Sequence, residues 1–270
     1  MNRVREVFKT DKPIIALLHL LPLPGDPEYD RQGGMRKVIE RAREELRDLQ
    51  NGGVDGVMIA NEFSMPYQSP APSAIVAAMA NVVGELRAEV KIPLGVNIVQ
   101  DPANCIELAG AVEADFARSM FTSVYVGLGG VRQTSIASTM RRKVELNRND
   151  MLMFYMVNPE SDVNLSGTDN ATIAKSLLFN CRPDAMCISG RSAGNGADLS
   201  IIEQVKAVSD GVPVFCNTGC NIDNVEKVLS VADGAFVGTG IKVDRKFRNA
   251  VDPVMVEKFM RKVEIIRNGQ

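Results

Sequence analysis

The chain has 270 residues, of which 45% are hydrophobic and 24% charged, with a formal net charge of -2. That is apolar material for a sizeable core, in one large α/β domain or two small ones. The charge balance offers no basic footprint for nucleic acid, and no apolar run nears the ~20 residues of a transmembrane segment. The charged start MNRVREVFKTDKP, followed by a brief apolar stretch, predicts no signal peptide. Cys105, Cys181, Cys187, Cys216 and Cys220 are odd in number and lack a paired CxxC, so reduced thiols in a cytoplasmic protein are expected. His19 is the sole histidine, which excludes a zinc site of several imidazoles.

In chain order, short apolar runs alternate with amphipathic ones. Residues 13–20, PIIALLHL, read as a first strand. Val38, Ala42, Leu46 and Leu49 at helical spacing predict a helix over 35–50, ended by Asn51-Gly52-Gly53. A second strand follows at 56–61, a helix at 73–90 and a third strand at 93–99. Asp101-Pro102 reads as an N-cap with proline at the first helical position, leading into 103–113. The fourth strand, 116–121, is interrupted by Arg118 and precedes a helix at 135–146. The fifth strand is 151–157, and Thr168-Asp169 opens a helix to about 179. The sixth strand is 185–190, with Asp198 capping the next helix. Strands seven and eight are 213–219 and 234–240, flanking a helix with an apolar face of Val225, Val228 and Leu229 and a cap at Asn221 or Asp223. Asp252-Pro253 caps the last helix, which runs to about 267.

These are eight strand–helix units whose strands are continuously apolar, as when both faces are covered. The pattern predicts an α/β fold, a closed (β/α)8 TIM barrel forming one domain over 1–270. The competing doubly wound sheet places a glycine-rich dinucleotide turn after its first strand. Here that strand ends HLLPLPGDP. The longest irregular stretches, 21–34, 63–72, 122–133 and 158–168, all follow strands and would gather at the C-terminal rim, where barrel enzymes carry their sites.

Strands seven and eight both run into Thr-Gly turns. Either the chain needs tight connections there, or an anion approaches the backbone closely. Loops after the last two strands of a barrel commonly bind phosphate, and glycine at Gly219, Gly238 and Gly240 would leave room for it. Thr218 and Thr239 would add hydroxyl donors. The loop after strand six, with Ser189, Gly190 and Arg191, supplies a guanidinium able to grip a phosphate by two N–H bonds. His19, at the end of strand one, is a candidate general acid or base. Asn61, Glu62 and Asn97 end strands two and three. Arg118 is costly inside a buried strand unless it faces the mouth to hold an anion or pairs with Glu62 or Asp101. Lys242 reads as a rim charge.

The segments HLLPLPGDP, ANEFSMPY, GVNIVQDP, SGRSAG and ADGAFVGTGIK together resemble the BtpA/SgcQ family over nearly the whole chain. The resemblance implies a TIM barrel of the ribulose-phosphate-binding type. Its members are linked to photosystem I biogenesis at thylakoid membranes or associated with sugar phosphotransferase genes. The chain departs from the family's pattern at VNPESDVN after strand five and VGLGG after strand four. The expected function is that of an enzyme on a small phosphorylated ligand, a sugar phosphate, of isomerase, epimerase or lyase type. It needs no cofactor and no metal, and self-association into a homo-oligomer is left open. The competing expectation is a non-catalytic assembly factor.

Overall fold

The fold was analysed in a computed structural model that describes residues 3–160, 162–190, 198–217 and 219–269. The first four strands are β1 (Ile14–His19), β2 (Gly56–Ala60), β3 (Leu94–Asn97) and β4 (Phe116–Ser119). Next come β5 (Val124–Gly127), β6 (Gly130–Gln133), β7 (Leu152–Met156) and β8 (Val163–Asn164). The last are β9 (Ala185–Ile188), β10 (Val214–Cys216) and β11 (Gly234–Val237). Eight of these close a parallel barrel in the order β1-β2-β3-β4-β7-β9-β10-β11. β1 seals it, pairing Leu17 with Met58 on one side and Ala16 with Val237 on the other. The expected closed barrel is therefore the observed one. Its strands are shorter than the apolar runs because pairing stops where the turns after β9, β10 and β11 begin.

Alternation along each strand sorts the side chains. Ile15, Leu17, Met58, Ala60, Phe116, Leu152, Phe154, Cys187, Phe215 and Phe236 fill the barrel. Ile14, Ala16, Leu18, Val57 and Ile59 face the other way, into the core beneath the helices. Both faces are dry, which is why the strands read as unbroken apolar runs. Phe154 is the hub of the interior, with ring centroids 5.4 Å from Phe116, 5.1 Å from Phe215 and 5.4 Å from Phe236. A Cβ at Gly95 would stand 2.0 Å from the Phe116 ring, so glycine is what lets that ring fit.

The helices are α1 (Arg3–Phe8), α2 (Gly34–Asn51), α3 (Ser73–Leu86), α4 (Pro102–Ala111) and α5 (Ile136–Glu145). They continue as α6 (Asn170–Cys181), α7 (Leu199–Lys206), α8 (Val225–Val231) and α9 (Pro253–Arg267). Asp101, Asp169, Asp198 and Asp252 cap α4, α6, α7 and α9 through side-chain bonds to backbone N–H groups. Two expectations are corrected. The N-cap position of α8 is Asn224, not Asn221 or Asp223, and its side chain does not cap the helix but ties the preceding turn together, accepting from Asn221 N at 2.8 Å and donating to Gly219 O at 2.8 Å. The stretch 122–133 is not irregular, since it forms β5 and β6, and Val163–Asn164 within 158–168 joins them antiparallel as β8, where Arg132 forms a buried ion pair with Asp162. The N-terminal segment forms α1. Its Val4 and Phe8 join the interior cluster and plug the N-terminal end of the barrel.

Candidate functional site

The same alternation that sends Phe116 inward sends Arg118 inward, one turn of the pleat nearer the C-terminal mouth. Its side chain is 4% exposed, and its guanidinium lies 4.9 Å over the Phe236 ring. Nη1 donates to Asn217 Oδ1 at 2.7 Å, and Asn217 Nδ2 donates to Ser189 Oγ at 2.8 Å. Asn97, with its amide oriented to satisfy both neighbours, donates to Arg118 O at 2.8 Å and accepts from Nη2 at 3.3 Å. Asn158 fixes the next strand end, accepting from Ser189 N at 3.0 Å and donating to Ser189 O at 2.9 Å. Among the described residues, the guanidinium thus bonds to neutral amides rather than to a carboxylate, and its Nε has no partner. Glu62 favours its charge through space, against the burial that disfavours it.

His19 ends β1 on the inward side with Leu17 and is 5% exposed. Its Nδ1 lies 3.1 Å from Lys242 Nζ, which also donates to Phe247 O at 2.7 Å. Lys242 is a correction: it is not a rim charge but 1% exposed, with its ammonium 4.9 Å over the Phe63 ring and 5.6 Å over Phe247. The chain after β11 folds back through a bridge between Lys242 and Val251, which carries the lysine inward. Burial lowers the Lys242 pKa to about 8. Burial, followed by the charges of Lys242 and Arg118, holds His19 well below the ordinary histidine range, so its imidazole is neutral at physiological pH.

Glu62 is half-buried, and burial raises its pKa against the opposing pull of Arg118 and of the Tyr67 hydroxyl, which donates to its Oε2 at 3.2 Å. Asn61 and Asp101 serve loop architecture. Asn61 Oδ1 accepts from Val99 N at 2.8 Å. Asp101 Oδ2 accepts from Ala71 N at 2.7 Å, so Asp101 is not the partner of Arg118.

The glycine turns differ from one another. Gly219 has φ +78°, a left-handed backbone that suits glycine. Gly238 leaves space for the histidine, since a Cβ there would come within 3.2 Å of His19 Nε2. Gly240 is not in the left-handed region. It is required because a Cβ would lie 2.6 Å from Cys220 O in the neighbouring turn. Thr239 begins a short 3-10 turn, Thr239–Ile241. Ser189 is fully buried and Gly190 follows it, whereas Arg191 and Thr218 lie outside the described residues. One consequence is testable: Gly240→Val should lower stability by ~3 kcal/mol through collision with backbone that cannot rotate away. A denaturation midpoint equal to the parent's would refute this close approach.

A closed eight-stranded α/β barrel with polar groups gathered at the C-terminal ends of its strands is the architecture of the TIM-barrel proteins. Within that class the chain belongs to the BtpA family, whose model matches residues 10–265. It is 42% identical over 267 residues to the putative sgc region protein SgcQ of Escherichia coli, covering 99% of this chain and 100% of that one. It is 30% identical over 263 residues to the photosystem I biogenesis protein BtpA of Synechocystis, covering 94% and 89%. Among solved structures, N-(5'-phosphoribosyl)anthranilate isomerase from Pyrococcus furiosus superposes with a TM-score of 0.57 at 14% identity, over 94% of this chain and 98% of that one. Tryptophan synthase from M. tuberculosis gives 0.59 at 12% identity, over 96% and 97%. These structural likenesses concern the fold.

Proposed function

We propose that this protein is an enzyme that binds a small phosphorylated metabolite, a sugar phosphate, in the barrel mouth and moves a proton on it, as an isomerase, epimerase or lyase. The observation that carries the reading is Arg118: a buried cation bonded to neutral amides, beside a neutral histidine and a carboxylate of raised pKa. A desolvated charge of this kind is costly without an anion to meet it. The phosphate would sit at the turns after β9, β10 and β11, around Ser189, Gly190, Gly219, Gly238, Thr239 and Gly240, with Arg191 and Thr218 as further donors. Arg118 and Asn97 would hold the oxygens near the reacting carbons. Glu62 would exchange the proton, since a carboxyl whose pKa is raised by burial is a better base once ionised. Asn61 would act by positioning the loops around the mouth. The phosphoribosyl substrate named for one structural neighbour agrees with this reading.

A second reading, a non-catalytic assembly factor, is favoured by the name of the Synechocystis relative. No helix among the described residues is long and apolar enough to cross a membrane, so such a role would rest on surface contacts. A thermal-shift screen against sugar phosphates, nucleotides and inorganic phosphate separates the two. The enzyme reading expects a melting temperature that rises with the concentration of at least one sugar phosphate, confirmed by calorimetry. A flat response across the screen would favour the assembly factor.

A further inference from the structure

His19 is the chain's sole histidine, and its two ring nitrogens have different surroundings. Nδ1 faces the Lys242 ammonium at 3.1 Å. Nε2 is buried and has no hydrogen-bond partner among the described residues. An ammonium carries N–H donors and no acceptor. A nitrogen facing it at hydrogen-bond distance must therefore offer its lone pair, which leaves the ring proton on Nε2. The charges around the ring agree. Lys242 from the turn after β11 and Arg118 from β4 both oppose an imidazolium. Glu62, from the loop after β2, acts on Arg118 and Lys242. Glu45 and Arg41, on α2, act on Lys242 with opposite signs. The rings of Phe63 and Phe247, with centroids 5.8 and 5.4 Å from that of the imidazole, exclude water from its flanks.

We propose that Lys242 is a positioning residue that locks His19 as the neutral Nε2–H tautomer, so that the barrel mouth presents one fixed, uncharged hydrogen-bond donor. Gly238 leaves room along that edge of the ring, because any Cβ there would crowd Nε2 and Cε1 at 3.2 Å. A buried N–H without an acceptor is unfavourable until something accepts from it. A neutral imidazole donor suits a ligand oxygen that gains negative charge, such as a carbonyl becoming an enolate. Only this identification of the ligand oxygen rests on the function proposed above; the tautomer lock does not.

The test uses the full-length protein with isotope-labelled histidine, whose single ring gives one pair of nitrogen signals by NMR. At about pH 7 the wild type should show a pyrrole-type Nε2 and a pyridine-type Nδ1, with no imidazolium. As the pH passes about 8, Lys242 loses its proton and the lock should loosen, seen as a shift of the Nδ1 signal. In Lys242→Met the loss of a neighbouring positive charge should move imidazolium formation to higher pH and allow both tautomers. Lys242→Arg, which keeps a cationic donor, should preserve the wild-type pattern more closely. An Nδ1–H tautomer or an imidazolium in the wild type at neutral pH overturns the proposal, as does an unchanged titration in a folded Lys242→Met protein. If that variant does not fold, the wild-type tautomer and its pH response decide alone. The ligand screen can fail while the lock holds, and the lock can fail while a sugar phosphate binds.

Discussion

If the proposed function holds, Arg118→Met should fold but lose its affinity for an anionic ligand. The methionine keeps an unbranched stem over Phe236 and removes a charge that is expensive to bury. Against that gain, Asn217 Oδ1 and Asn97 each lose a donor, at about 1–3 kcal/mol per oxygen left unsatisfied. The two effects oppose one another, so the melting temperature without ligand should change little. Binding has no such offset. Truncating one partner of a buried, hydrogen-bonded charge pair costs ~2–5 kcal/mol, roughly 30-fold to several thousand-fold in affinity. Calorimetry with the sugar phosphate found in the screen measures it directly. Arg118→Lys should fall between the two, because an ammonium keeps the charge but not the planar fork that engages Asn97 and Asn217 together. A folded Arg118→Met protein with parental affinity would remove Arg118 from the site.

Phe154→Ala should produce the largest loss of stability, ~3–5 kcal/mol by chemical denaturation. Its ring is fully buried at the centre of the barrel, against Phe116, Phe215 and Phe236 and, across the floor, 6.3 Å from Phe8 of α1. Those neighbours are fixed by strands on opposite sides of a closed sheet, so they cannot collapse into the vacated space, and the cavity adds to the transfer loss. Phe179→Ala provides the control. That ring, on α6, is 87% exposed, and its removal should change stability by no more than about 0.5 kcal/mol. Equal effects at the two positions would contradict the assignment of Phe154 to the interior.

The sequence alone determined the barrel, because its signals are local. Unbroken apolar runs mark strands covered on both faces, and aspartates before Pro102 and Pro253 mark helix starts through bonds within one turn. It also singled out His19 and Arg118, since polar groups inside apolar strands demand an explanation, but left the direction of Arg118 open, which the inward-facing Phe116 two residues before it decides in the fold. What only the tertiary structure decided lies where the chain meets itself far from its own neighbourhood. Lys242 looks like any loop lysine until the bridge to Val251 turns it under Phe63, a residue from the loop after β2. Asn217 has no signal of its own, and its role follows from Arg118 reaching it across 99 residues of sequence. Gly240 reads in the sequence as room for an anion at a tight turn, yet its constraint in the fold is the backbone of Cys220 in the neighbouring turn. Periodicity and caps report forces between residues a few positions apart. The burial of Lys242, and with it the protonation of His19, depends on three segments converging on one barrel mouth, which local pattern cannot express.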